Sequence, residues 1–122
     1  MYRNRLNSEL LSGPSLIIGH HAHDYIPAII AGRGERPITR TLDIDEYKHE
    51  LRRKLHEEVE EFCATGRTEE LVDILEVVYA LASVENIGES QLEEMRWQRL
   101  AERGGFDQRI YLIETLATGA VS

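Results

Sequence analysis

Three observations predict an all-α fold for this chain. From Leu51 to Val84 apolar side chains recur at three- and four-residue intervals, the period of a helix with one buried face. Two pairs, Asp43 with Glu46 and Ser90 with Glu93, have the spacing of a capping box at a helix start. Glycines stand where helices would stop, most clearly Gly66, which can take the left-handed conformation that ends a helix.

Residues 1 to 19 form an arm whose role the sequence does not reveal. Its short apolar run Leu16-Ile17-Ile18 reads equally as a strand or a packed segment. The domain proper runs from 20 to 122. It opens on HHAHDYIPAIIAGRG, read as a short helix capped by Asp24, with Pro27 in its first turn and Gly32 after its last residue. The segment RPITRTLDIDEY then leads into the first long helix through the Asp43–Glu46 box, and Arg40 in that segment is placed to reach a ligand or to be solvated. A second long helix, from about Thr68 to Glu85, is apolar over more than half its circumference and needs cover on two sides. One side can come from its own chain and the other from a second subunit, so a bundle completed by dimerisation, as a homodimer or homotetramer, is expected. Asn86 to Gly88 end that helix and Ser90 caps the next. On this third long helix Leu92, Arg96, Arg99 and Arg103 share a stripe, and Gly104 and Gly105 turn the chain so that Phe106, Ile110, Tyr111 and Leu112 can pack back on the bundle.

Composition narrows the function classes. A net charge of −8 argues against nucleic acid as a main partner, because a phosphate backbone needs a basic surface. Small phosphorylated ligands need only one local basic cluster and remain open. The single cysteine, Cys63, cannot form an internal disulfide and reads as a helix-packing thiol, which suits a reducing cytoplasm. No run approaches the roughly 18 apolar residues of a membrane span, and the interrupted N-terminal segment does not read as a signal peptide.

The chemistry is concentrated between Glu57 and Glu76. These residues carry eight acids against one base, Arg67, on two helices joined at Ala64-Thr65-Gly66. Counting about 100° per residue from Leu51, Leu55 falls near 40°, Glu58 near −20° and Phe62 near 20°, so Glu58 projects from the middle of an apolar stripe. Glu61 lies one turn on toward the same side, whereas Glu60 points away. In the second helix Glu70 and Asp73 form another i, i+3 pair, with Glu70 among Ile74, Val77 and Leu81. Clustered buried carboxylates cost several kcal/mol each, roughly, unless a cation neutralises them. All-oxygen donors with no nearby His or Cys favour Mg²⁺ or Mn²⁺ over Zn²⁺. A solvated acidic face is the plain alternative, and it is disfavoured by Glu58 and Glu70 lying on the apolar side of the wheel.

The pattern Glu57-Glu58-x-x-Glu61 followed by Glu70-x-x-Asp73 resembles the EExxE and ExxD signature of the MazG-like all-α nucleoside triphosphate pyrophosphohydrolases, which include the phosphoribosyl-ATP pyrophosphohydrolases. The gap between the two motifs is shorter here than in many members. The resemblance extends to Asp24, Ile26, Pro27, Ile29 and Ile30 of the family's opening motif, to Pro37, Thr39, Arg40 and Leu42, and to an RGGF segment at Arg103-Gly104-Gly105-Phe106. It covers about residues 20 to 116, in the family's order. His20 and His23 stand where the opening motif has Lys and Arg. Together with His21 they also permit a zinc site, or a surface cluster facing phosphate.

This resemblance implies a MazG-like bundle, with Mg²⁺ held by Glu58, Glu61, Glu70 and Asp73 and with Glu57 accessory. The reaction it implies is cleavage of a nucleoside triphosphate between its α and β phosphates, giving a monophosphate and pyrophosphate. Glu57 or another uncoordinated carboxylate would take the proton of the attacking water, and Glu58 and Glu61 would also serve the catalytic step. Arg99 and Arg103, with His23, would hold the phosphates of the leaving group. Three rivals remain: the same chemistry on phosphoribosyl-ATP, a catalytically weak nucleotide-binding or regulatory protein, and a metal-stabilised structural dimer.

Overall fold

The computed structural model describes residues 23–118. The 1–19 arm, His20 and His21 therefore lie outside the described residues. Among those described there are four helices and no strand: α1 (Ile26–Gly32), α2 (Ile44–Thr65), α3 (Thr68–Val84) and α4 (Glu89–Arg103). The all-α class holds. The chain divides after Glu89 into two compact units, the first carrying α1 to α3 and the second α4 and the tail.

In the first unit the start of α2 is fixed by the predicted box. The Glu46 amide donates to Asp43 Oδ1 at 2.9 Å and the Asp43 amide donates back to Glu46 Oε1 at 3.4 Å. Arg40 engages both oxygens of Glu46, at 3.1 and 2.7 Å. Its hydrogen bonds hold the Glu46 carboxyl down at about 2, so this arginine serves helix entry. Helix α2 ends at Gly66, whose φ of 66° and ψ of 16° are left-handed, and its amide donates to the Phe62 carbonyl at 2.7 Å. A side chain at this φ would be strained, which is why a glycine stands between the two acidic runs.

That turn folds α3 back along α2. Lys48 near the start of α2 lies 3.8 Å from Glu85 just beyond the end of α3, joining the open ends of the hairpin. From α2 the buried residues are Leu51, Lys54 and Glu58; from α3 they are Glu70, Asp73 and Val77. Both sets follow one helical stripe. Leu51 and Val77 are the apolar members, so most of the interior of the hairpin is ionisable. On α3, Leu71, Val72 and Leu75 are each about half exposed, as expected of a helix that one partner cannot cover.

Several local expectations are corrected. Asp24 does not cap α1: the Ile26 amide donates to the His23 carbonyl, a turn leads into the helix, and Tyr25 holds the cap position without a side-chain bond. Gly32 is the last residue of α1 rather than the one after it, and the chain reverses at Gly34, where φ is 83°. Ser90 lies inside α4, because the left-handed Asn86, with φ of 62°, lets the next helix begin at Glu89. Cys63 is exposed, one residue beyond the buried stripe. In the second unit α4 buries no residue. Phe106, Ile110, Tyr111 and Leu112 are 75% or more exposed, and the run beyond Gly104 contains no helix or strand among the described residues. Among the described residues no helix is long and apolar enough to cross a membrane.

Candidate metal centre

At the turn end of the hairpin α2 and α3 bring three carboxylates together. One oxygen each of Glu58, Glu70 and Asp73 lies within 4.8 Å of the other two. Glu58 and Glu70 are fully buried and Asp73 is 6% exposed. Glu58, Glu70 and Asp73 thus lie on the buried helix faces expected from their spacing, and Glu60 is exposed as expected. Glu61, expected as a fourth donor, is half-buried and is not one of the three whose oxygens converge.

Glu70 is the telling member. Neither of its oxygens accepts a hydrogen bond, although both are shut off from solvent. An ionised carboxylate in such a place costs several kcal/mol, roughly, unless a positive charge reaches it. Both Glu58 oxygens also lack a hydrogen bond, and Lys54 Nζ forms an ion pair with Oε1 at 3.4 Å. Burial pushes the Glu58 carboxyl up to about 7; Lys54 opposes that rise, and Asp73 and Glu70 add to it. Burial likewise lowers the Lys54 ammonium, with Glu58 pulling it back up. Desolvation thus works against both charges, and their mutual attraction offsets part of it.

The donor set fits a hard divalent cation. Three carboxylates with no imidazole or thiolate among them suit Mg²⁺, Mn²⁺ or Ca²⁺ rather than Zn²⁺. Three oxygens sharing one ion at about 2.1 Å stand about 3 to 4 Å apart, so a bound ion would draw these three somewhat closer together than the 4.8 Å within which they lie. Charge agrees with geometry: three carboxylates against the one Lys54 ammonium leave two negative charges if all are ionised.

The remaining sequence candidates are dispersed. Glu57 is partly exposed, with Oε1 3.6 Å from Arg53, and sits beside the buried stripe rather than on it. His23 precedes α1 with its Nε2 buried, and it belongs to no group of metal-ligand type among the described residues. Arg99 and Arg103 are exposed on α4 of the second unit. Arg96 of the same stripe pairs with Glu93 and lies 5.0 Å from the Trp97 ring centre. Lys54 was missed by the sequence reading. Its position four residues before Glu58 and three after Leu51 was the available signal, since that spacing puts an ammonium within reach of a carboxylate on the same face.

No protein-family model, curated protein or solved structure matches this chain.

Proposed function

We propose that this protein is a divalent-cation-dependent hydrolase that cleaves a nucleoside triphosphate between its α and β phosphates, in the manner of the MazG-like enzymes its motifs resemble. The observation that carries the reading is the buried Glu58–Glu70–Asp73 cluster, in which Glu70 has no hydrogen bond to relieve its charge. Motif order along the chain supports the phosphate chemistry; the cluster supports the cation.

In this reading Glu58, Glu70 and Asp73 hold Mg²⁺ or Mn²⁺, with Glu61 joining from the next turn of α2. Such an ion, when bound, draws charge from phosphate oxygens and makes water more acidic. The oxygen of water forms a bond to the α phosphorus, the bond from that phosphorus to the bridging oxygen breaks, and pyrophosphate departs. Glu57, partly exposed at the margin of the cluster, accepts the proton through Oε2, the oxygen not turned to Arg53. Arg99, Arg103 and His23 as phosphate contacts rest on the resemblance alone. No covalent intermediate is needed, because the cluster contains carboxylates and an ammonium but no Ser, Thr, Cys or His.

A release assay across a panel of nucleotides, with phosphoribosyl-ATP as one member, tests this directly. Stoichiometric monophosphate and pyrophosphate from at least one member, abolished by chelation and restored by Mg²⁺ or Mn²⁺, is the expected result. Turnover that survives exhaustive chelation, or no turnover on any member, would sink the reading.

The same reading includes a homodimer or dimer of dimers. Leu71, Val72 and Leu75 on α3, with Val59 on α2, leave the hairpin an uncovered apolar face, and in the second unit Phe106, Ile110, Tyr111, Leu112, Ile113 and Leu116 are more exposed still. Patches of this kind mark interaction surfaces. Sedimentation at micromolar concentration should give a species of at least twice the 14.0 kDa chain mass. A monomer there would contradict it.

A further inference from the structure

Lys54 is 3% exposed, and its ammonium lies beside a carboxylate of the cluster. Lysines are almost never this buried without a reason, since the flexible stem ordinarily carries the charge out to water. Here the position on the α2 stripe leaves no such route: Leu51 precedes it on the same face, Glu58 follows it, and α3 closes over all three. An apolar residue at 54 would extend the buried apolar surface of Leu51 and Val77 and avoid the cost of burying an ammonium. The charge is therefore kept for what it faces.

We propose that Lys54 is the resident counter-cation of the carboxylate cluster, a positioning residue that holds Glu58 against the α3 carboxylates and sets how tightly a divalent cation is taken. The inference rests on the cation reading of the cluster. With Lys54 the four buried groups sum to two negative charges when ionised, the complement of one divalent ion. Without it they would sum to three, a hairpin much harder to fold in the absence of metal and a stronger attractor of metal in its presence. Lys54 thus exchanges affinity for stability. It makes the chelated protein foldable and, as a like charge near the ion, weakens ion binding.

The test compares wild type, Lys54→Met and the double variant Lys54→Met/Glu58→Gln, by thermal melting in chelator and in saturating Mn²⁺, and by calorimetric titration with Mn²⁺. Methionine keeps an unbranched apolar stem, one atom shorter than lysine's, and removes the ammonium group. Lys54→Met should melt well below wild type in chelator and recover most of that difference in Mn²⁺, and its Mn²⁺ Kd should be tighter by on the order of tenfold, as expected when a positive charge a few ångströms from a cation is removed. The double variant, which also removes the carboxylate left unpaired, should regain melting temperature in chelator relative to Lys54→Met. If Lys54→Met is unfolded in chelator, folding on addition of Mn²⁺ is the supporting result, and failure to fold in either condition overturns the proposal. Equal losses with and without Mn²⁺, or an unchanged or weaker Kd, would show a packing role and overturn it while leaving the cation reading intact. Wild type that neither binds Mn²⁺ nor melts higher in it would overturn both.

Discussion

Glu70→Gln should lower pyrophosphate release at least about a hundredfold, and at the same time raise the melting temperature of the chelated protein by a few degrees. The two effects share one cause. Both oxygens of Glu70 are buried without a hydrogen bond, next to oxygens of Glu58 and Asp73. In chelator that arrangement is a cluster of like charges, and removing one relieves it; the new amide can donate to the neighbouring carboxylates, so it does not become an orphan in turn. With the cation present the same oxygens are ligands. Loss of an outer contact to a metal ligand commonly costs about 10- to 100-fold, and loss of a ligand should cost no less. Glu60→Gln provides the contrast, because Glu60 is exposed on the opposite face of α2 and should leave both quantities near wild type. Equal losses of activity at positions 60 and 70, or a Glu70→Gln protein that is both less active and less stable in chelator, would contradict the assignment.

Stability of the chelated protein should fall as pH rises from about 5 to 8, the reverse of the trend expected for surface carboxylates in ion pairs. Glu58 has an ordinary value of 4.5 when unfolded and is pushed by burial to about 7 in the fold. The folded state therefore binds the proton more tightly. Its contribution is fully present below about 4.5 and is lost as pH passes through 7. At 1.36 kcal/mol per pH unit the loss is about 3 kcal/mol at most, which for a chain of this size corresponds to on the order of 10 °C in Tm. Glu46, held near 2 by Arg40, completes its titration below this window. Lys54, lowered by burial from an ordinary value of 10.5, contributes in the opposite sense, so the part due to Glu58 is read as the difference between wild type and Glu58→Gln. Saturating Mg²⁺ should flatten the slope, because a bound cation favours the ionised carboxylate at every pH. A slope between pH 5 and 8 that is the same in wild type and in Glu58→Gln, both in chelator, would show that Glu58 is not desolvated as described.

Much of the hairpin was legible because it is a local feature. Gly66 needed only its place between two acidic amphipathic runs, the Asp43–Glu46 box only its spacing, the burial of Glu58 only the 100° step from Leu51, and that of Glu70 only its place among Ile74, Val77 and Leu81. What escaped depended on contacts outside the window. Lys54 looked like a surface lysine until α3 closed over it. Arg40 looked available until Glu46 proved to be its partner. The caps at Asp24 and Ser90 failed by one and two residues, because left-handed or turn residues just upstream moved the helix starts. The tail from Phe106 to Leu112 reads as core by composition, yet its apolar side chains lie exposed, and a sequence pattern does not say whether such residues are covered by their own chain or by another.

Electron paramagnetic resonance of Mn²⁺ titrated into the chelator-stripped protein tests the central claim most directly, since it needs neither a substrate nor an active enzyme. If Glu58, Glu70 and Asp73 hold a divalent cation, the six-line signal of hydrated Mn²⁺ should be suppressed up to about one ion per chain, Mg²⁺ should restore it by competition, and Glu70→Gln should leave it unsuppressed. A folded wild-type protein in whose presence the hydrated signal grows from the first addition as it does in buffer would contradict the account.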